Sequence, residues 1–407
     1  MYSFPDKTFS PALVNSEGTL VAAMCRGAAG KKWGYIEIIT QTSADGGISW
    51  SEAKTVLQPP ARAISRDAEN TKSAFFLNPV LASAPNGDIV MLVTFFPESK
   101  GAADSKYLEK KKTAFTYFDG ERHPIIYDRD GSYYIIMNDG AVIDKTKAKT
   151  AFTVDAAGEL YKDDEYMGNI YLNGAQGKSE TEGKTTFGSL LKTPKRSYIF
   201  MLKSSDKGNS WSNPVNITPN LDNENDGPLL MTASGSGITT SDGRIIMPLY
   251  SPKGAVAVYS DDNGDTWNRN PRMPYTGGKG DTTFVQTPDK LIHGFNCGRN
   301  AVSDDNGILW SKGGKLPSSI ADSKKSAVLA DVNIFAAAKT KKGGVLATAD
   351  LFSDKKGNYK EFKWRKELIP IEAENFDSPC IVKIKNNVLG VAYEVKEKAV
   401  FRLITIE

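Results

Sequence analysis

The sequence predicts an all-β protein of the β-propeller type. Three observations lead there: a four-residue frame that recurs four times, a strand-like run ahead of each copy, and blade-sized intervals between later copies. The frame is S-x-D-x-G-x-x-W. It appears as Ser43, Asp45, Gly47 and Trp50, then as Ser204, Asp206, Gly208 and Trp211. It returns as Ser260, Asp262, Gly264 and Trp267, and again as Ser303, Asp305, Gly307 and Trp310.

Each residue of the frame has a local physical role. The Asp and Ser side chains bond turn backbone, Gly takes a conformation closed to other residues, and Trp packs beneath the turn. The boxes are therefore read as structural hairpin clips. As calcium ligands they supply too few oxygens, and their carboxylates already have backbone work. Asp222-Asn-Glu-Asn-Asp226-Gly227 looks more like a calcium loop but lacks the closing Glu, and reads as a polar turn. No metal is expected.

The runs ahead of the boxes are Tyr35 to Ile39, Tyr198 to Leu202, Ala255 to Tyr259 and Arg299 to Val302. Short β-rich segments punctuated by turns read as strands. Ser204 and Ser260 are 56 residues apart, and Ser260 and Ser303 are 43 apart, which suits one four-stranded blade per interval. The first interval, Ser43 to Ser204, is 161 residues. It is expected to hold blades without a box plus an insertion.

That insertion is placed at residues 99–173, between a first propeller part at 1–98 and the remainder at 174–407. It opens on a lysine-rich, weakly hydrophobic stretch from Ser99 to Lys112. Short β-like pieces follow at Ile125 to Tyr127, Tyr133 to Ile136 and Ala151 to Val154, separated by turn pairs such as Asp130-Gly131 and Asp139-Gly140.

With 407 residues, 40% of them hydrophobic, the chain can bury a sizeable core. A formal charge of +3 is nearly balanced for this size and does not point to nucleic acid. Lysine clusters such as Lys110 to Lys112, or Lys339, Lys341 and Lys342, read as solvated loops. Cys25, Cys297 and Cys380 match no zinc spacing and cannot complete a disulfide framework, so they read as buried free thiols. No apolar run reaches the roughly 18 residues of a membrane span. Met1 to Pro5 has neither a basic nor an apolar leader region.

Four further segments narrow the fold. Phe9-Ser10-Pro11-Ala-Leu-Val14, with Gly18 to Ala22, Cys25-Arg26 and Gly34 to Ile38, resembles the opening blade of bacterial sialidases. Gly158 to Tyr161 with Gly168 to Tyr171 resembles the subdomain inserted in the larger members. Asn216 to Pro219, Gly235 to Ile238 and Gly243 to Tyr250 are similar to the blade after the second box. Gly280-Asp281-Thr-Thr-Phe-Val-Gln286 resembles the strand that bears the family's catalytic glutamate. The chain thus resembles the bacterial sialidase (neuraminidase) family of glycoside hydrolases with Asp-box repeats. This resemblance implies a six-bladed β-propeller with a small irregular inserted β subdomain, and no cofactor.

The family hydrolyses terminal sialic acids with retention through a tyrosine nucleophile. Three arginines hold the sugar carboxylate, a glutamate polarises the tyrosine, and an aspartate is the acid/base. By resemblance Phe9 stands where the first arginine belongs. The loop Gly27 to Gly34, after Arg26, contains no acid, and Glu37 falls in the next strand. Asp281 takes the glutamate position, one methylene shorter, and is the candidate catalytic residue. The second arginine should follow Lys290 to His293, where Gly294 or Phe295 sits, with Arg299 nearby. The third is expected between Ala347 and Gly357, where Lys355 and Lys356 are the basic residues. The tyrosine position reads Phe376 or Asp377.

Arg26, Arg299, Asp377 and Phe9 are the candidate binding residues, and Phe9, Arg26, Asp281 and Asp377 are expected near the axial mouth, on the face opposite the Asp-box turns. Three residues also have a plainer reading: Arg26 as a structural salt bridge, Asp281 as a turn or strand-end cap, and His293 as a satisfied core histidine rather than a base. Tyr133, Tyr134 and Tyr171 are candidate contacts of the insertion, or local core. The losses favour a pseudoenzyme that binds a glycan, a glycoprotein, or a host or cell-surface protein. Two alternatives remain. One is an active exo-α-sialidase with a non-standard residue set drawing on Arg62, Arg66 or Arg299; the other is a glycosidase retargeted to another sugar. By resemblance the protein is secreted or at the cell surface, its export signal outside this sequence, with the cytoplasm left open.

Overall fold

A computed structural model describes residues 1–27, 34–60, 73–99, 101, 108–110, 112–173, 187–233, 235–274, 282–296, 298–321, 323–353 and 359–406. The apolar runs pair into antiparallel strands, and these form six blades around an axis plus one separate sheet. The first blade is Thr8–Ser16, Thr19–Gly27, Ile36–Ser43 and Lys54–Leu57, from the axis outward. The second is Phe75–Ser83, Ile89–Phe96, Tyr198–Ser204 and Val215–Asn216. Met231–Thr232, Ile245–Ser251, Gly254–Ser260 and Asn268–Arg269 make the third. The fourth is Thr283–Gln286, Ile292–Asn296, Arg299–Ser303 and Ser311–Lys315. Lys325–Ala330, Asn333–Thr340, Gly343–Ser353 and Tyr359–Glu372 form the fifth.

The sixth blade takes Asp377–Lys385, Val388–Val395 and Lys398–Thr405 from the end of the chain and its outermost strand, Tyr2–Ser3, from the beginning. Tyr2 faces Phe401 and Ser3 faces Val400, and the Phe4 N–H donates to the Ala399 carbonyl at 3.0 Å. This pairing closes the ring. Phe4 is 1% exposed and meets Trp50 of the first blade edge-on at 5.1 Å, so the closing strand is also held by aromatic packing. Every residue of Ile89–Phe96 is buried, as a strand covered by sheets on both sides requires.

All four boxes begin on the last residue of a blade's third strand, in the first four blades. In the first box the Gly47 N–H donates to Ser43 Oγ at 2.8 Å, Ser43 Oγ donates to Asp45 Oδ1 at 2.8 Å, and the Ser49 N–H donates to Asp45 at 2.9 Å. The other three boxes repeat the Ser–Asp and Gly–Ser bonds. The glycines also touch the preceding blade. A Cβ on Gly47 would fall 2.2 Å from Phe401, on Gly208 2.9 Å from Val21, on Gly264 2.9 Å from Val90 and on Gly307 2.6 Å from Ile246. The box therefore fastens one blade to the next as well as closing a hairpin.

Among the described residues the long first interval holds no blade lacking a box, which corrects the expectation above. The second blade is split instead: the chain leaves after Phe96 and returns at Tyr198 for the third strand. The detour carries a seven-stranded antiparallel meander running from Phe115–Phe118 to Glu165–Asn169. Three of its hairpins use one device. Asp128, Asp144 and Asp155 each accept from the backbone N–H groups two and four residues on, at 2.8 to 3.0 Å. Lys192 still bridges to Tyr127 and Gly188 to Asn169, so the chain stays with the insertion there. Tyr171 joins sheet to propeller: it is half-buried, with its ring 4.8 Å from Phe95 and 6.1 Å from Tyr198. Among the described residues no helix is long and apolar enough to cross a membrane.

Candidate functional site

Strand register decides which end of the propeller carries a site. In the first blade Ser43 stands level with Leu20 and Asn15, while Phe9 stands level with Cys25 and Ile38. The box turns therefore lie at one end, and the starts of the inner strands at the other. Phe9, Arg26, Arg299 and Asp377 all sit at this second end. Asp281 lies outside the described residues, as do Arg62, Arg66 and most of the loop after Arg26.

The inner strands of the first, second and sixth blades share a kink there. Ser10, Asn78 and Ser378 have φ of 49°, 54° and 45°, each stands before a proline, and the ladder register shifts at each. Proline has no N–H to give the ladder, so the strand bulges. Phe9, Leu77 and Asp377 hold equivalent places just before the bulge.

Those equivalent places end up with different chemistry. Phe9 is 4% exposed and packs in the core between the first two blades. Arg26 turns toward the outer edge of its blade: Nε donates to Glu37 Oε1 at 2.6 Å, and a terminal nitrogen donates to Thr55 Oγ1 on the outermost strand at 2.9 Å. Glu37 also accepts from Gln58 at 3.1 Å. The geometry is that of a cross-strand salt bridge. Arg299 is exposed on the hairpin between the second and third strands of the fourth blade, facing Asn296 and Lys315.

Asp377 is the polar centre of the mouth among the described residues. Lys324 Nζ stands 2.6 Å from its Oδ1 and Lys339 Nζ 2.8 Å from its Oδ2. Its Oδ1 also accepts the Ser378 N–H at 2.7 Å. Burial alone would raise its pKa. The hydrogen bonds and charges of the two lysines outweigh burial and hold the carboxyl well below the usual range. Lys339 belongs to a cluster that reads as solvated loop in the sequence, and Lys324 lies in a short Ser-Lys-Lys-Ser run. Neither had a motif to mark it; only their meeting on Asp377 does.

Phe376, the other occupant of the tyrosine position, is 1% exposed and packs against Tyr393 with ring centres 4.8 Å apart. Tyr393 donates its hydroxyl to Glu372 at 3.2 Å. Burial and the Glu372 carboxylate push this phenol up to about 12, and the residue is 0% exposed between the fifth and sixth blades. A shielded, weakly acidic phenol is a poor nucleophile. His293 is a core residue: Asn300 contacts its Nδ1 at 3.1 Å, Phe362 packs at 5.1 Å, and burial lowers its pKa.

Below the mouth the axis is filled by small polar groups. Gly235–Ser236 pairs in parallel with Val80 and Leu81, and Ser326 Oγ accepts the Ile381 N–H at 3.2 Å. Cys380 Sγ accepts the Leu13 N–H at 3.1 Å, tying the sixth blade to the first. Burial raises the Cys380 thiol to about 11, and Cys25 is likewise a buried free thiol. Cys297 lies outside the described residues.

The BNR repeat-like domain family matches residues 10–369. The chain is 26% identical over 328 residues to the anhydrosialidase of the leech Macrobdella decora, covering 70% of this chain and 42% of that protein. To sialidase B of Streptococcus pneumoniae it is 21% identical over 285 residues, covering 64% of this chain and 40% of that protein. It thus spans about two fifths of the length of these relatives. Among solved structures, the intramolecular trans-sialidase of Ruminococcus gnavus superposes with a TM-score of 0.82 at 19% identity, over 98% of this chain and 94% of that one. The chain therefore belongs to the BNR repeat-like domain family, and its six-bladed sialidase fold and sialidase relatives make it a member of the bacterial sialidase family.

Proposed function

We propose that this protein is a sialidase-type propeller that recognises sialylated or related acidic glycans at its axial mouth without hydrolysing them. The observation that supports this most is Asp377, which by resemblance stands at or beside the nucleophile position. It is a carboxylate already neutralised by Lys324 and Lys339. An ion-paired carboxylate held far below its usual pKa is a weak nucleophile and carries no proton to donate near neutral pH. Two further residues support this reading, Phe9 at what is by resemblance the first arginine position and Arg26 beside the mouth. Phe9 is in the core, and Arg26 is spent on Glu37 and Thr55.

Lys324 and Lys339 keep side-chain exposures of 39% and 46%, so an acidic sugar can approach them from solvent. Lysine binds a carboxylate as a point charge rather than a fork, so affinity below that of an arginine triad follows. The test is two measurements on one preparation. No release from a fluorogenic α-sialoside at high protein concentration, together with saturable binding of sialyllactose, is the expected result. Turnover that disappears in Asp281→Ala would instead establish an active sialidase with a rebuilt site.

A further inference from the structure

A second concentration of charge lies at the seam between the inserted sheet and the propeller, away from Asp377. A cavity of about 260 Å³ is lined there by Lys110, Lys112, Arg122 and Arg196, with two carboxylates, Glu109 and Asp222. Both carboxylates are committed. Asp222 is shared by two guanidiniums, accepting from Arg122 at 3.1 Å and from Arg196 on its other oxygen. Glu109 accepts the Lys195 N–H at 2.8 Å and faces Lys112 Nζ at 3.3 Å. Among the described lining residues four cations face two anions, an excess of two positive charges.

Part of that excess is buried. Arg196 is 6% exposed, and its Nε, a strong donor, has no hydrogen-bond partner among the described residues. Phe115 covers both guanidiniums, its ring centre 5.2 Å from the Arg122 carbon and 5.0 Å from that of Arg196. The same two-to-one pairing recurs four residues along the chain, where Arg269 and Arg272 share the fully buried Asp226. A buried, incompletely bonded guanidinium is costly unless a counter-charge reaches it. The planar fork of arginine matches an oxyanion well.

We propose that the seam cavity is an oxyanion site, in which Arg196, Arg122 and Lys112 hold a carboxylate, sulfate or phosphate group. The cavity lies just below the roughly 300 to 1,000 Å³ usual for small-molecule pockets, which points to a free ion or a single acidic sugar residue. An occupant there bridges the insertion, through Lys112 and Arg122, to Arg196 beside the propeller's second blade. It thereby fixes the sheet against the propeller.

The experiment is calorimetric titration of the whole protein with sodium sulfate, inorganic phosphate and glucuronate at constant ionic strength. Saturable binding of at least one probe at low millimolar concentration is expected. The double variant Lys110→Ala/Lys112→Ala, on exposed side chains, weakens it about tenfold, while Lys312→Ala/Lys315→Ala on the fourth blade leaves it unchanged. Arg196→Lys is a further variant, used only if its circular dichroism matches the parent. Tighter binding of glucuronate than of the inorganic ions identifies an acidic saccharide, and the reverse identifies a free ion. Absence of saturable binding, or equal affinity in the Lys110/Lys112 variant, overturns the proposal. Because Asp377→Asn leaves this cavity untouched, the result is independent of what the mouth binds.

Discussion

Lys324 and Asp377 come from different blades, yet the ammonium of one stands 2.6 Å from the carboxylate of the other, with Lys339 completing the clamp at 2.8 Å. Replacing Asp377 with Asn leaves two neighbouring ammonium groups without their counter-charge. A loss of about 1 to 2 kcal/mol is expected for a half-buried cluster, between the surface and buried cases. Urea denaturation measures it. The same variant removes the carboxylate that neutralises both lysines, so sialyllactose binding should strengthen while stability falls; a parallel loss of both would argue against the mouth as the binding site.

The box glycines are expected to matter twice, once for backbone and once for packing. Gly307 has φ of 84°, and a Cβ there falls 2.6 Å from Ile246. Gly120 in the insertion has the same φ of 84° with nothing within 4 Å. Gly120→Ala should therefore cost only the conformational strain, about 1 kcal/mol, whereas Gly307→Ala adds the clash for about 2 to 3 kcal/mol in all. Comparing the two melting curves isolates the blade-to-blade contact.

Acid should loosen the propeller through its boxes. Hydrogen bonds from Ser210, side chain first and then backbone, lower Asp206 from an ordinary 3.8 to about 2. A carboxyl depressed on folding stabilises the protein above its unfolded pKa, and that contribution is lost as pH falls through the folded value. The melting temperature should drop between about pH 4 and pH 2. In Asp206→Asn the baseline is lower at neutral pH, and the acid slope is shallower because one titrating group is gone.

Ring closure rests on few residues. Phe4 is 1% exposed, next to the two-residue strand that completes the sixth blade, and touches Trp50. Phe4→Ala should cost about 3 kcal/mol, the low end for a buried phenylalanine because the site borders the ring seam. Hydrogen exchange should report the change first at Lys398–Thr405, the strand that pairs with Tyr2 and Ser3.

The sequence by itself determined the repeating unit. Ser, Asp, Gly and Trp at fixed offsets are a local device, with partners within a few residues, so the boxes, their turns and the strands ahead of them were legible without tertiary information. The insertion was legible as turn-punctuated β segments for the same reason.

Only the tertiary structure decided where those units join. A 161-residue interval between boxes looks the same whether it holds extra blades or one split blade. The pairing of Tyr198–Ser204 with Ile89–Phe96 across the insertion settles it. The mouth depends on long-range geometry in the same way. Asp377 meets Lys324 and Lys339 from 53 and 38 positions away, at the ends of strands in an adjacent blade, and nothing in their immediate neighbourhoods marks the encounter. Arg26 shows the converse: it looks like a ligand-binding arginine in the sequence, but the register opposite Glu37 gives its guanidinium a partner within its own blade. Local hydrogen bonding writes a fold's repeats into its sequence, whereas charge pairing at a propeller's axis is fixed only when the ring closes.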